Sequence, residues 1–170
     1  MQGSTTQPKV FISYSWTTPQ HERWVLDIAE RLSGDGIVVI FDKWDLKEGQ
    51  DKHKFMEQMV HDESISKVLV ICDHGYQAKS DDRKGGVGTE SQLISKEVYE
   101  NTAQEKFIPI VREFDKDGNP YMPHFMGRTN LYRSLVRGDV RRKLPEVGQK
   151  RLWQAAVEAF SARHSARLHH

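Results

Sequence analysis

Val68-Leu69-Val70-Ile71-Cys72, then Asp73-His74-Gly75-Tyr76, a polar loop from Ser80 to Gly88, and Thr89-Glu90-Ser91-Gln92-Leu93-Ile94-Ser95-Lys96-Glu97 form the stretch from which the fold is read. Five apolar, mostly β-branched residues in a row describe a strand buried on both faces. Thr89 and Gln92 have the spacing of the N-cap and third helical position of a capping box. They follow Gly85-Gly86-Val87-Gly88 directly, and predict a helix from Thr89 to about Asn101. Glu90 then falls in the first turn. Exposed backbone N–H groups at such a helix start can hold an anion or a polar ligand. A first-turn carboxylate alone does no more than complement the helix dipole, worth ~0.3–1 kcal/mol.

Working outward, Lys9-Val10-Phe11-Ile12-Ser13-Tyr14-Ser15-Trp16 starts as an apolar strand and finishes in hydroxyls and an indole. Thr18-Pro19 supplies an N-cap with proline at the first helical position, and Trp24, Val25, Ile28, Ala29 and Leu32 fall on one helical face. Ser33-Gly34-Asp35-Gly36 ends that helix. Ile37-Val38-Val39-Ile40-Phe41 is a second buried strand, leading into a polar loop, Asp42 to Gln50, that holds Trp44. A short helix with Phe55, Met56, Met59 and Val60 inward comes next. Lys106 to Val111 is a fourth strand, in which Pro109 points to a sheet edge or a local irregularity because it cannot donate to a ladder. Asp115 to Pro120 is a turn cluster. A short fifth strand is expected at Asn130-Leu131-Tyr132, and a last helix over about 148–163 from the spacing of Leu152, Trp153, Ala156, Ala159 and Phe160.

Buried strands alternating with amphipathic helices require a parallel sheet covered on both sides. The expected fold is therefore α/β, a doubly wound sandwich with helices on both faces; taken as flavodoxin-like, it has a five-stranded parallel sheet in the order 2-1-3-4-5. A length of 170 residues suits one such domain. The expected layout is a disordered lead over 1–7, the domain over 8–163, and a disordered tail over 164–170 that reads as a tag remnant. Lys plus Arg (25) nearly balance Asp plus Glu (24), so no global pull toward nucleic acid or an anionic membrane is implied. The single cysteine, Cys72, sits inside an apolar strand, which fits a reducing, cytoplasmic compartment. No run approaches the ~18 apolar residues of a membrane span, and the chain is expected to be soluble.

In a flavodoxin-like sheet the strand order reverses between strands one and three, and the crevice above their carboxyl ends is the default ligand site. Ser13, Tyr14, Ser15 and Trp16 leave the first strand there; Asp42, Trp44 and Asp45 leave the second; Asp73, His74 and the path to Glu90 leave the third. Hydroxyls, carboxylates and aromatic faces thus converge in a way that suits a nucleotide. Neither GxGxxG nor GxxxxGK[ST] is present, and Gly85 to Gly88 alone reads as a flexible turn. A receiver-type acidic pocket is disfavoured by Ser13-Tyr14-Ser15, no Cys/His set has zinc spacing, and no nucleophile elbow accompanies the Ser, His and Asp residues. No metal site is expected.

Phe11-Ile12-Ser13-Tyr14-Ser15, Phe41-Asp42-Lys43-Trp44-Asp45-Leu46 with Gly49, and Val68 to Asp73 with the helix-bearing Glu90 together resemble a Toll/interleukin-1 receptor (TIR) domain of the bacterial type, over roughly residues 8–163. Bacterial TIR domains occur as N-terminal effectors of antiviral proteins, fused to cyclic-nucleotide sensors of the STING-like or SAVED kind. The loop Arg83 to Ser91 is most similar to that group. The resemblance implies an NAD+ glycohydrolase (NADase), a hydrolase that splits the nicotinamide–ribose bond to give nicotinamide and linear or cyclic ADP-ribose, switched on by self-association in antiviral signalling. It implies Glu90 as the catalytic residue and Ser13, Tyr14, Ser15, Trp16, Asp42, Trp44, Asp45 and Arg83 as substrate-binding residues. No cofactor is implied beyond NAD+ as substrate. The implied partners are further TIR copies and a C-terminal sensor domain. Many family members carry a tryptophan four residues before the glutamate; here that residue is Gly86, so base stacking falls to Trp44, Tyr14 or Trp16. Glu97 is a second candidate, although a solvated helix face accounts for it better. The resemblance also implies the alternative of a non-catalytic adaptor, in which the loop from Asp45 to Lys54 meets a neighbouring copy, Trp44 is the anchor and Glu90 is only a helix-start charge.

Overall fold

The structure, a computed structural model, describes residues 7–82 and 93–127. Four parallel strands form one sheet in the order β2-β1-β3-β4: β1 (Lys9–Ser13), β2 (Val38–Ile40), β3 (Lys67–Cys72) and β4 (Phe107–Val111). The reversal of strand order therefore lies between β1 and β3, where Val10 to Ser13 pair with Lys67 to Val70. Pro109 pairs with Val70 on β4, the outer strand of the described sheet, consistent with its missing N–H. The expected fifth strand at Asn130-Leu131-Tyr132 and the helix over 148–163 lie outside the described residues.

Alternation along each strand sends side chains to two separate cores. Phe11, Val68, Val70, Cys72 and Phe107 face one side; Val10, Ile12, Tyr14, Leu69, Ile71, Ile108 and Ile110 face the other. The second core is closed by α1 (Pro19–Gly34), through Val25, Ile28, Ala29 and Leu32. Thr18 caps α1 by accepting the His21 amide at 3.1 Å, with proline following the cap, as its sequence predicts. Gly36, at φ +84°, turns the chain from α1 into β2.

The first core is closed by three helices: α3 (Lys52–His61) through Phe55, Met56 and Val60, α4 (His74–Asp81) through Tyr76, and α5 (Lys96–Glu100) through Val98 and Tyr99. Each buried aliphatic or aromatic side chain contributes about 1.5–3 kcal/mol relative to exposure.

Three local expectations are corrected. Asp42–Asp45 is a short helix, α2, rather than open loop, because the Asp45 carboxylate accepts the Phe41 amide at 2.8 Å and closes the turn. His74–Asp81 is helical where no helix was expected and a polar loop was to begin at Ser80; Asp73 caps it by accepting the Tyr76 amide at 2.7 Å. Of the helix expected from Thr89 to about Asn101, Thr89 to Gln92 lie outside the described residues, Leu93 to Ser95 are not helical, and α5 begins at Lys96, where the Ser95 hydroxyl accepts the Val98 amide at 3.2 Å. The turn at Asp115 to Pro120 is present, closed by Asp115 accepting the Asp117 and Asn119 amides, each at 2.8 Å.

Candidate functional site

The carboxyl ends of β1 and β3 gather two polar clusters, one on each side of the sheet. Ser13 lies on the face of β1 that carries Phe11, and its hydroxyl meets the Tyr76 hydroxyl at 2.9 Å. The same tyrosine oxygen accepts the Ile94 amide at 2.9 Å, and the Ile94 carbonyl accepts the Ser80 hydroxyl at 3.1 Å. Tyr76 thereby joins the end of β1 to the chain entering α5, with Leu93 and Ile94 buried. Ser15 donates to Asp73 Oδ1 at 3.0 Å and Thr17 to Asp73 Oδ2 at 3.4 Å, so one carboxylate caps α4 and holds the β1–α1 loop. The fit is close. A Cβ at Gly75 would lie 2.3 Å from Thr17 Cγ2, so only glycine lets the first turn of α4 approach this loop.

His21, in the first turn of α1, closes the mouth from the other side. It is 1% exposed, its Nδ1 contacts Arg112 Nη1, and its Nε2 faces Asp73 Oδ2 at 3.5 Å. Burial holds its pKa below the usual value, and Arg112 adds to that against the opposing pull of Asp73. Arg112 follows β4, donates its amide to the Cys72 carbonyl at 2.9 Å and lies over the Trp24 ring.

The second cluster surrounds Asp42. Tyr14 is buried and stacks on Phe41 with ring centroids 5.4 Å apart. Its phenol, the Trp16 indole and the Lys43 amide face the Asp42 carboxyl, whose pKa burial raises. Burial also pushes the Tyr14 phenol up, followed in size by the Asp42 charge. The Trp16 ring carries the Lys52 ammonium 3.3 Å from its centroid, and the Trp16 carbonyl accepts from Lys79 at 3.2 Å. Trp44 stands apart, 47% exposed and edge-on to Phe41, on a helical turn tied to α1 by Lys43–Glu22 at 2.6 Å.

Of the residues singled out from sequence, Tyr14, Trp16 and Asp42 come together. Ser13 and Ser15 join Tyr76 and Asp73 instead, and Asp45 is committed to the Phe41 amide. Arg83 and Glu90 lie outside the described residues. Glu97 is exposed in the first turn of α5, a solvated helix face. Cys72 is buried, and its thiol is pushed up by burial, which makes it inert.

Sequence reading passed over His21, Tyr76 and Arg112. His21 did leave a signal, because it lies one turn before Val25 on the buried stripe of α1. Among the described residues no group of three His, Cys, Asp or Glu side chains is placed to hold a metal ion, and no helix there is long and apolar enough to cross a membrane. At the mouth, Ser13, Tyr76, Ser15 and Asp73 are committed to one another, whereas the buried Tyr14 hydroxyl and His21 Nε2 make no hydrogen bond, and an aromatic side chain is presented beside them.

Residues 8–135 match the SEFIR domain family. A solved structure described as a prokaryotic SEFIR domain is 45% identical, superimposes with a TM-score of 0.64, and covers 71% of this chain and 77% of its own. No curated protein matches the sequence. The resemblance to TIR domains holds at the level of a TIR-like fold, and with a family match across most of its length the chain belongs to the SEFIR domain family.

Proposed function

We propose that this chain is an interaction module that self-associates, with Trp44 as the anchor of the contact. The observation that carries this reading is the placement of Trp44, the single large hydrophobic side chain exposed among the described residues. Its turn is fixed before any partner arrives, by the Asp45 bond to Phe41, the Lys43–Glu22 pair and the edge contact with Phe41. A preorganised aromatic loses little freedom on binding, and aromatic anchors dominate interface energies. Kinship with a domain family that acts through domain–domain contacts supports the same reading. Replacing Trp44 with Ala is expected to abolish concentration-dependent association while leaving the fold intact; association unchanged in that variant would remove Trp44 from the contact.

A second reading is the NAD+ glycohydrolase effector with Glu90 as its catalytic carboxylate, acting with a sensor domain in antiviral defence. Glu90 precedes Ile94 by four residues, a span of at most about 14 Å when fully extended, and the Ile94 amide is bonded beside Ser13 at the strand mouth. Nicotinamide leaves as a neutral molecule, so the barrier lies in positive charge developing on the ribose, which a fixed anion stabilises. Nicotinamide release from NAD+ by protein forced to cluster, lost in Glu90→Gln, would establish this reading. Release in neither protein would leave the interaction module.

A further inference from the structure

We infer that His21, Arg112 and Asp73 form a proton-operated clasp: proton uptake at His21 Nδ1 separates the imidazole from Arg112 and loosens the start of α1 from the end of β4, while His21 stays beside Asp73. The geometry sets the direction of the switch. A guanidinium has donors and no acceptor, so the nitrogen that meets Arg112 Nη1 carries a lone pair. The imidazole is then neutral, with its proton on Nε2, which faces Asp73 Oδ2 at 3.5 Å. Adding a proton to Nδ1 removes the acceptor and sets two cations in contact, the imidazole being 1% exposed and so shielded from water.

The charges around the ring come from every element packed there. Asp73 at the end of β3 and Glu113 beyond β4 favour the protonated form, as does Glu22 on α1; Arg112 opposes it, as does burial. Tyr14, whose ring lies 6.4 Å away, stays uncharged. Asp73 already faces Nε2 and is held in place by Ser15, Thr17 and the Tyr76 amide, so the rearrangement falls on the Arg112 side. Arg112 is the member with room to move. It is half-buried and lies over Trp24, so it can leave His21 while keeping that ring contact. Three elements meet at this one imidazole, so its charge state reaches the whole mouth.

The test is imidazole nitrogen NMR with amide hydrogen exchange on the intact chain, from about pH 7.5 down to about pH 5, the range in which histidine changes charge. The expected result is an unprotonated Nδ1 at the upper pH. Its protonation should then run in step with about tenfold faster exchange, corrected for intrinsic rates, at the Glu22–Val25 and Arg112 amides. His21→Asn keeps an acceptor near the Nδ1 position without titrating, and should abolish the acid response. An Nδ1 that bears a proton at the upper pH, exchange that ignores the titration, or the same acid response in His21→Asn would each overturn the clasp. If that variant does not fold, the wild-type nitrogen and exchange data decide.

Discussion

Replacing Tyr76 with Phe removes one oxygen and almost no volume, which isolates the bond that ties β1 to the chain entering α5. That oxygen meets Ser13 Oγ and accepts the Ile94 amide, each at 2.9 Å, and Ile94 is buried. A single net hydrogen bond is worth about 1 kcal/mol, whereas a buried N–H left without its partner costs about 1–3 kcal/mol, so the second effect dominates. The expected destabilisation is about 1–3 kcal/mol, or about 3–10 °C in Tm for a chain of this size. Urea unfolding should show a lowered midpoint with an unchanged slope. Hydrogen exchange should locate the loss at Ile94 before it spreads to the sheet. A variant within about 0.5 kcal/mol of wild type, the range of ordinary surface substitutions, would refute the claim that this hydroxyl holds the segment in place.

The other predictions are more local. Gly75→Ala should cost about 1–3 kcal/mol by overpacking, because the new Cβ meets Thr17 Cγ2 at 2.3 Å; adding Thr17→Ser, which removes that methyl, should recover most of the loss in chemical denaturation. Stability should fall as pH drops below about 6.5, the ordinary histidine value. The sign follows from His21: its folded pKa is lowered, first by burial, so the unfolded chain binds the proton more readily and acid favours unfolding. His21→Asn should flatten that part of the pH–stability curve; an equally steep fall in the variant would assign it to another group.

The strands were legible because each is a short apolar run bounded by polar or glycine residues, and α1 because Thr18-Pro19 precedes an apolar stripe at helical spacing. Strand–helix alternation made the sheet parallel and left few topologies open, and the flavodoxin-like order implied by the family resemblance matches β2-β1-β3-β4. Helix α4 was missed because Gly75 and a polar surround hide it. Its signal was Asp73 three residues before Tyr76, an N-cap spacing with no apolar stripe behind it. The helix was expected to run unbroken into α5 because Ser95 was not read as a cap, and the tertiary bonds from Tyr76 and Ser80 to Ile94, which hold Leu93 to Ser95 out of the helix, leave no local pattern in the sequence.

The candidate site was legible where side chains leave strand ends, as with Ser13, Tyr14, Asp42 and Asp73. Its internal pairing was not. His21 and Arg112 lie 91 residues apart, and no local pattern encodes such a contact. Nor does alternation alone say that Ser15 turns to Asp73 while Tyr14 turns to Asp42.

Sedimentation velocity on wild type and Trp44→Ala, across a wide range of protein concentration, tests self-association through this domain most directly. Wild type should sediment faster as concentration rises, while the variant stays monomeric and equally folded. A wild-type chain that remains monomeric throughout, or a variant that associates just as readily, would contradict the assignment of Trp44 as the anchor of self-association.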